Sequence, residues 1–371
     1  MIKVLHFYKT YYPDSFGGVE QVIFQISEGC AGYGVDTVVH TLSPHGDREL
    51  ESFHSHMIVN SKTVVDIAST PFSISAIEKF RELLKEVDII HYHFPYPFMD
   101  MLHLLCGVKK PTVVTYHSDI LKQKFLLKLY KPLMYKFLDS VTTIVATSPN
   151  YLNTSDVLNR YSKKVKVIPI GIDEDKYPLP AASRVEFWKE KFPEPFFFFI
   201  GALRYYKGLS VLLSALVGTD INVVIAGVGP LEKELKDKTK TLGLEKVTFI
   251  GGVSDEDKAV LLKLSRGIVF PSYLKTEAFG ITLIEGAMYS KPLISCEIGT
   301  GTSYININNE TGFVVSPNDP ISLNRALKEL WDNEEKAIAL GENARKRFES
   351  LFRAETMARE YYKIYDQLIN N

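Results

Sequence analysis

Cysteine is scarce in this chain, long apolar runs are missing, and neither sign of charge is in excess; each absence removes a class of protein. Three cysteines, Cys30, Cys106 and Cys296, lie scattered over 371 residues without CxxC spacing. So odd and sparse a set builds no disulfide framework and suits a reducing compartment. No stretch approaches the ~18 consecutive apolar residues that a membrane-spanning helix needs. The opening MIKVLHFYKTYYPD has an apolar run too short for a signal peptide and no cleavage site. A cytoplasmic protein is therefore expected. With 43 basic against 44 acidic side chains the net charge is −1. No global field draws the chain to nucleic acid, and a charged ligand must meet a local patch.

What is there is enough chain for two cores. Short apolar runs alternate with helical patterns throughout. In the first half, strands are expected at 2–7, 35–41, 87–93, 112–116 and 141–146, with helices at 19–31, 74–86 and 120–138. In the second, strands are expected at 196–201, 222–226, 247–250, 267–271, 292–295 and 312–315, with helices between them. Continuous apolar strands separated by helices indicate parallel sheets covered on both faces, an α/β class. The segment 170–195 is rich in proline and charge and reads as a linker. Residues 335–371 read as helix, with Tyr361, Tyr362, Tyr365 and Leu368 forming its apolar stripe.

Several places can carry chemistry. In VFPSYLKTEAFGITLIEGAMYSK, 269–291, a buried strand gives way to a loop with Glu277, and a helix then begins near Phe279. Glu285 follows two helical turns on, about 12 Å along the rise. The two carboxylates can bind hydroxyls of one extended ligand, and the free amides at the helix entrance suit a phosphate. They read equally well as a dipole partner and a solvated helix residue. In IGALRYYKG, 200–208, Arg204 and Lys207 follow a strand. They either neutralise a leaving anion or are plain surface cations. Gly17-Gly18 precede the first helix, as a ligand-facing loop or a tight turn. His117 ends a strand, the usual address for ligand contacts in open parallel sheets, although a lone histidine is more often structural.

His91 and His93 alternate along one strand face, but no third ligand of suitable spacing accompanies them, so no metal is expected. The acidic triplets 173–175 and 255–257 read as linker and as a capped helix start after Ser254. In IAGVGPLE, 225–232, the third glycine of a dinucleotide fingerprint is replaced by Glu232. Along 122–138, Lys124, Lys128, Lys131 and Lys136 face one way and Leu126, Leu129, Tyr130, Leu133 and Phe137 the other. That helix either packs its apolar face on the core or meets an anionic membrane.

Taken together, EAFGITLIEGAMYSKPLI, LRYYKG, GGVE and GVGP resemble the motifs of retaining family-four glycosyltransferases, over essentially the whole chain. The resemblance implies a GT-B fold, two Rossmann-like domains facing across a cleft. They would be residues 1–175, with the C-terminal helix of about 355–371 crossing back, and 176–354. It implies a catalytic set of Glu277, His117, Arg204 and Lys207. The implied donor contacts are Gly17, Gly18, Gly229, Val253, Phe279, Gly280, Ile281, Thr282 and Glu285. Lys207 carries over directly; the family's arginine position holds Ala202 here, and Arg204 lies two residues later. The N-terminal segment together with LRYYKGL is similar to bacterial O-antigen mannosyltransferases. That likeness implies GDP-mannose as donor, with a UDP-sugar as the alternative, and no required cofactor or metal. It also implies a lipid-linked glycan acceptor in lipopolysaccharide synthesis and peripheral contact with the inner face of the membrane through 122–138. The rivals are a non-catalytic sugar-nucleotide-binding protein and a nicotinamide oxidoreductase, which would need the full GxGxxG that is missing here.

Overall fold

A computed structural model describes residues 1–120 and 124–370. The chain divides into two compact units, Met1–Gly171 with Ala354–Asn371, and Ile172–Arg353.

The first unit is built on an eight-stranded sheet. Its strands are β1 (Ile2–Phe7), β2 (Val35–Ser43), β3 (Arg48–Phe53), β4 (His56–Lys62), β7 (Ile89–Phe94), β8 (Thr112–Tyr116), β9 (Thr143–Ala146) and β10 (Val165–Val167); β5 (Val65–Ile67) and β6 (Thr70–Phe72) form a separate hairpin. The order is β10-β9-β8-β7-β1-β2-β4-β3, parallel except for β3 against β4. β7 and β8 are wholly buried, as sheets covered on both faces require. The C-terminal helix, Ala354–Asn370, belongs to this unit and buries Tyr361, Ile364 and Tyr365. Tyr362 is half-buried and stacks on Tyr33 at 5.0 Å.

Three expectations change here. The C-terminal segment is two helices, Glu334–Leu351 and Ala354–Asn370. The break falls where Phe352 accepts a backbone bond from Ile172 at 2.9 Å. The linker contains a helix, Ala182–Lys191, whose Trp188 is buried and donates to Asp257 at 2.7 Å. The lysine-rich helix runs Lys124–Ser140, and residues 121–123 of its expected span lie outside the described residues, as does Asn371. Its core contacts come from Met134, Phe137 and Leu138, whereas Leu126 and Leu129 are exposed beside Lys128 and Lys131.

The second unit holds six parallel strands: β11 (Phe197–Ile200), β12 (Val223–Ala226), β13 (Val247–Gly251), β14 (Gly267–Phe270), β15 (Leu293–Cys296) and β16 (Gly312–Val315). Their order, β13-β12-β11-β14-β15-β16, is the Rossmann order 3-2-1-4-5-6. The order in which successive strands join the sheet reverses between β11 and β14, the switch point at which open α/β sheets bind ligands. Lys207 and Glu277 lie on the loops that leave these two strands.

Candidate active site

The loop after β11 carries Arg204 and Lys207, and the loop after β14 carries Glu277. They meet because Gly208 takes φ +72, a conformation that costs other residues about 1 kcal/mol. A Cβ there would lie 1.9 Å from the carbonyl oxygen of Pro271. The two backbones can therefore touch only at a glycine. Lys207 Nζ then reaches Glu277 Oε2 at 2.5 Å, with both side chains largely buried. Ser272 donates to the same oxygen at 3.2 Å, and the Thr300 hydroxyl donates to the Glu277 carbonyl at 2.8 Å. The ammonium also sits 4.8 Å from the Phe270 ring centroid, where the ring face adds attraction for a cation. Arg204 is exposed.

Glu277 leads into the helix Ile281–Met288, whose N-cap is Gly280 at φ +98. Phe279 is buried and edge-on to Phe352. The Thr282 hydroxyl donates to the carbonyl of Ile200 at 3.4 Å, tying this helix to β11. First-turn amides of a helix have no intrahelical acceptor, and an anion satisfies them well. Glu285, on the same helix, is 5% exposed. It accepts from the Tyr177 hydroxyl at 2.8 Å and pairs with Lys258 at 3.0 Å. Burial alone would lower the Lys258 pKa, but Glu285 and Asp255 outweigh it and raise the value above the ordinary range.

Gly229 lies in the loop after β12, where a Cβ would sit 2.6 Å from the backbone of Leu203. Its small size is thus explained by the packing of two loops, held by Leu203 N to Val228 O at 3.0 Å. Val253, half-buried, stands between β13 and the helix Asp255–Leu264. The acidic triplets are engaged in structural bonds. Asp257 accepts from Arg184 and Trp188 and from Ser254, the helix N-cap. Glu174 pairs with Arg345 at 2.6 Å.

In the first unit, Gly17 is the N-cap of the helix Gly18–Ala31. Glu20, which no spacing singles out, accepts from Thr10 and Ser15 at 2.8 Å each and so pins the loop ahead of those glycines. His117 is buried after β8, its backbone N–H bonded to Phe94 O at 3.0 Å. A third histidine joins His91 and His93, contrary to expectation: β1 places His6 directly opposite His91, and ligating nitrogens of the three lie within 4.8 Å of one another. Spacing does not reveal His6 because strand register, not sequence separation, brings it there. Tyr177 and Lys258 escape a sequence reading because a loop and a separate helix bring them to Glu285, whereas Ser272 stands five residues before Glu277 and carries no signal of its own.

Burial pushes the pKa values of His6, His40 and His117 down to about 3 and those of His91 and His93 well below 6.5. Unfolded, these rings titrate near 6.5. As pH falls below that value the unfolded chain takes up protons that the native rings refuse, so stability drops; above it none is lost. Moving from pH 7.5 to 5.5 is expected to cost on the order of 1 kcal/mol per buried histidine, read as a lower urea midpoint. Equal midpoints at the two pH values would mean that the native rings accept protons.

The switch-point loops of this Rossmann unit thus juxtapose a lysine and a glutamate at the start of a helix that carries a second, buried carboxylate. Residues 16–176 match the family described as Glycosyltransferase Family 4, and residues 183–347 match Glycosyl transferases group 1. The chain belongs to this family of glycosyltransferases and has the GT-B fold. It is 54% identical over 353 residues to the D-rhamnosyltransferase WbpZ of Pseudomonas aeruginosa, covering 95% of this chain and 93% of that one. It is 50% identical over 370 residues to the O-antigen chain mannosyltransferase C of Escherichia coli, covering 100% of both. Among solved structures, the sucrose-phosphate synthase of Thermosynechococcus elongatus superposes with a TM-score of 0.81 over 100% of both chains at 22% identity, a likeness of fold.

Proposed function

We propose that this glycosyltransferase moves a hexose of manno configuration, from GDP-mannose, to a lipid-linked glycan in O-antigen synthesis, with retention at the anomeric carbon. The supporting observation is the Lys207–Glu277 pair at the switch point of the second unit's sheet, in a chain 50% identical to an O-antigen chain mannosyltransferase. Lys207, Arg204 and the amides of Phe279 to Thr282 take the diphosphate, where negative charge grows as the bond to the sugar breaks. Glu277 holds the donor sugar and Glu285 the ribose. Gly229 and Val253 flank the nucleotide. Gly17 and Gly18 serve the diphosphate and acceptor, and His117 the sugar.

The acceptor hydroxyl attacks C1 from the face the diphosphate leaves. The C1–O bond to the β-phosphate breaks, the acceptor O–C1 bond forms, and the hydroxyl proton passes to a phosphate oxygen. Glu277 is a poor nucleophile for the rival double displacement, because Lys207 and Ser272 already draw on its Oε2. No metal enters this scheme, since the cations that face the leaving group are side chains. Exposed Leu126 and Leu129 beside Lys128 and Lys131 suit peripheral contact with an anionic membrane on the cytoplasmic side.

The 54% identical D-rhamnosyltransferase favours a second reading of the donor. D-rhamnose is D-mannose without its 6-hydroxyl, so both relatives support one ring stereochemistry and differ at C6. Thermal-shift titration with GDP-mannose, GDP-D-rhamnose, UDP-glucose and UDP-N-acetylglucosamine, followed by transfer to a lipid-linked primer, separates these cases. Stabilisation is expected with the GDP-sugars alone; at 100 times Kd it amounts to about 2.7 kcal/mol. Stabilisation and transfer with a UDP-sugar only would replace the donor assignment.

A further inference from the structure

The first unit holds a layer of histidines under its C-terminal helix, and the transfer scheme uses only His117 of them. His6 on β1, His91 and His93 on β7 and His117 after β8 share one sheet face, since His6 pairs with His91 and His93 with Thr115. His6 Nδ1 lies 2.9 Å from His93 Nε2, and His93 Nδ1 lies 2.9 Å from His117 Nε2. The rings are stacked, His93 on His117 at 5.2 Å between centroids and 19° between planes. His91 stands beside this chain with its own partners, Tyr365 at 2.6 Å and Thr115 at 2.7 Å.

Burial keeps these imidazoles neutral. A neutral imidazole has one N–H and one lone pair. Each N···N contact therefore holds a single proton, and the three rings must agree on its direction. If His93 donates to His117, then His117 carries its proton on Nδ1; if His93 accepts, Nδ1 of His117 is bare. We propose that His93, braced by His6, is a positioning residue that fixes the ring plane and tautomer of His117, so that its Nδ1 meets the donor with one hydrogen-bonding character. This rests on the proposed contact of His117 with the sugar.

The same nitrogens could be read as a metal site, but the geometry favours the hydrogen-bonded ladder. Two histidines on a tetrahedral zinc, with bonds of about 2.0–2.1 Å, hold their nitrogens roughly 3.3 Å apart. Here His6 and His93 are at 2.9 Å, and hydroxyl groups occupy both nitrogens of His91.

Long-range proton–nitrogen NMR on the ¹⁵N-histidine-labelled enzyme at pH 7.5 tests the proposal. Wild-type His117 is expected as one tautomer. His93→Phe keeps a buried ring without nitrogens; His117 is then expected as a mixture, with kcat for transfer about tenfold lower, the worth of one hydrogen bond, and the donor KM little changed. His93→Asn, whose amide can donate or accept near the former Nδ1, should restore one tautomer and most of kcat. His6→Phe, one contact further away, should lower kcat less. In a His117→Ala background, His93→Phe should lose its effect. A tautomer mixture in the wild type, an unchanged His117 signal in His93→Phe, or one equivalent of zinc lost with His93 would each overturn the proposal. If His117→Ala transfers sugar normally, the sugar-contact assignment fails, while the tautomer measurement still decides whether His93 sets the ring.

Discussion

Replacing Lys207 with methionine is expected to lower kcat by about 10²–10³-fold, the range seen when one preorganised stabiliser of transition-state charge is removed. Three observations make this large. The ammonium is largely buried, so water cannot take its place. Its position is set by a backbone contact at Gly208 that has no slack. Glu277, itself bonded by Ser272, and the Phe270 ring fix where it points before any ligand arrives. Methionine keeps the stem's packing, so the variant should fold, and a thermal melt alongside the transfer assay checks that. Wild-type kcat in Lys207→Met would reduce this lysine to a structural partner of Glu277.

Gly208→Ala should be the most disruptive single substitution near the site, costing on the order of 3–5 kcal/mol. A methyl group there would lie 1.9 Å from the Pro271 backbone oxygen, and no flexible side chain can swing away to relieve the clash. Gly218→Ala supplies the control. Gly218 has φ +73, but a methyl group there would meet nothing within 4 Å, so its alanine should lose only about 1 kcal/mol. Denaturation midpoints of the two variants separate the conformational cost from the clash. Because Pro271 opens the loop to Glu277, Gly208→Ala should lose transfer activity along with stability. Equal midpoints for the two variants would show that the loops after β11 and β14 can part without penalty.

Four of the second unit's six strands are legible because each is a mostly apolar run buried on both faces: FFFI, VVIA, GIVF and LISC coincide with the expected segments to within two residues. β3, β5 and β6 escape a sequence reading because edge strands and short hairpins mix charge with apolar residues, as in RELESF and VDI, and give no clean period. The helix Ala182–Lys191 is hidden by Pro178 and Pro180 just before it and by its own charges. Nothing in Leu351–Phe352–Arg353 announces a break, since neither glycine nor proline is present; the bond from Ile172 to Phe352 makes it.

The site divides in the same way. Lys207, Glu277 and Glu285 stand in contiguous motifs, and the fold brings the first two into contact. Their supports come from elsewhere in the chain: Tyr177 lies 108 residues from Glu285. His6 lies 87 residues from His93. Separations of that size carry no periodic signal, and only strand register and loop path reveal them.

The most direct measurement is a crystal structure of the enzyme with GDP. The β-phosphate is expected against Lys207 Nζ and the first-turn amides near Ile281 and Thr282, with a ribose hydroxyl on Glu285. GDP seated anywhere else, with Lys207 and Glu277 still paired only to each other, would contradict the placement of the donor on which every assigned role depends.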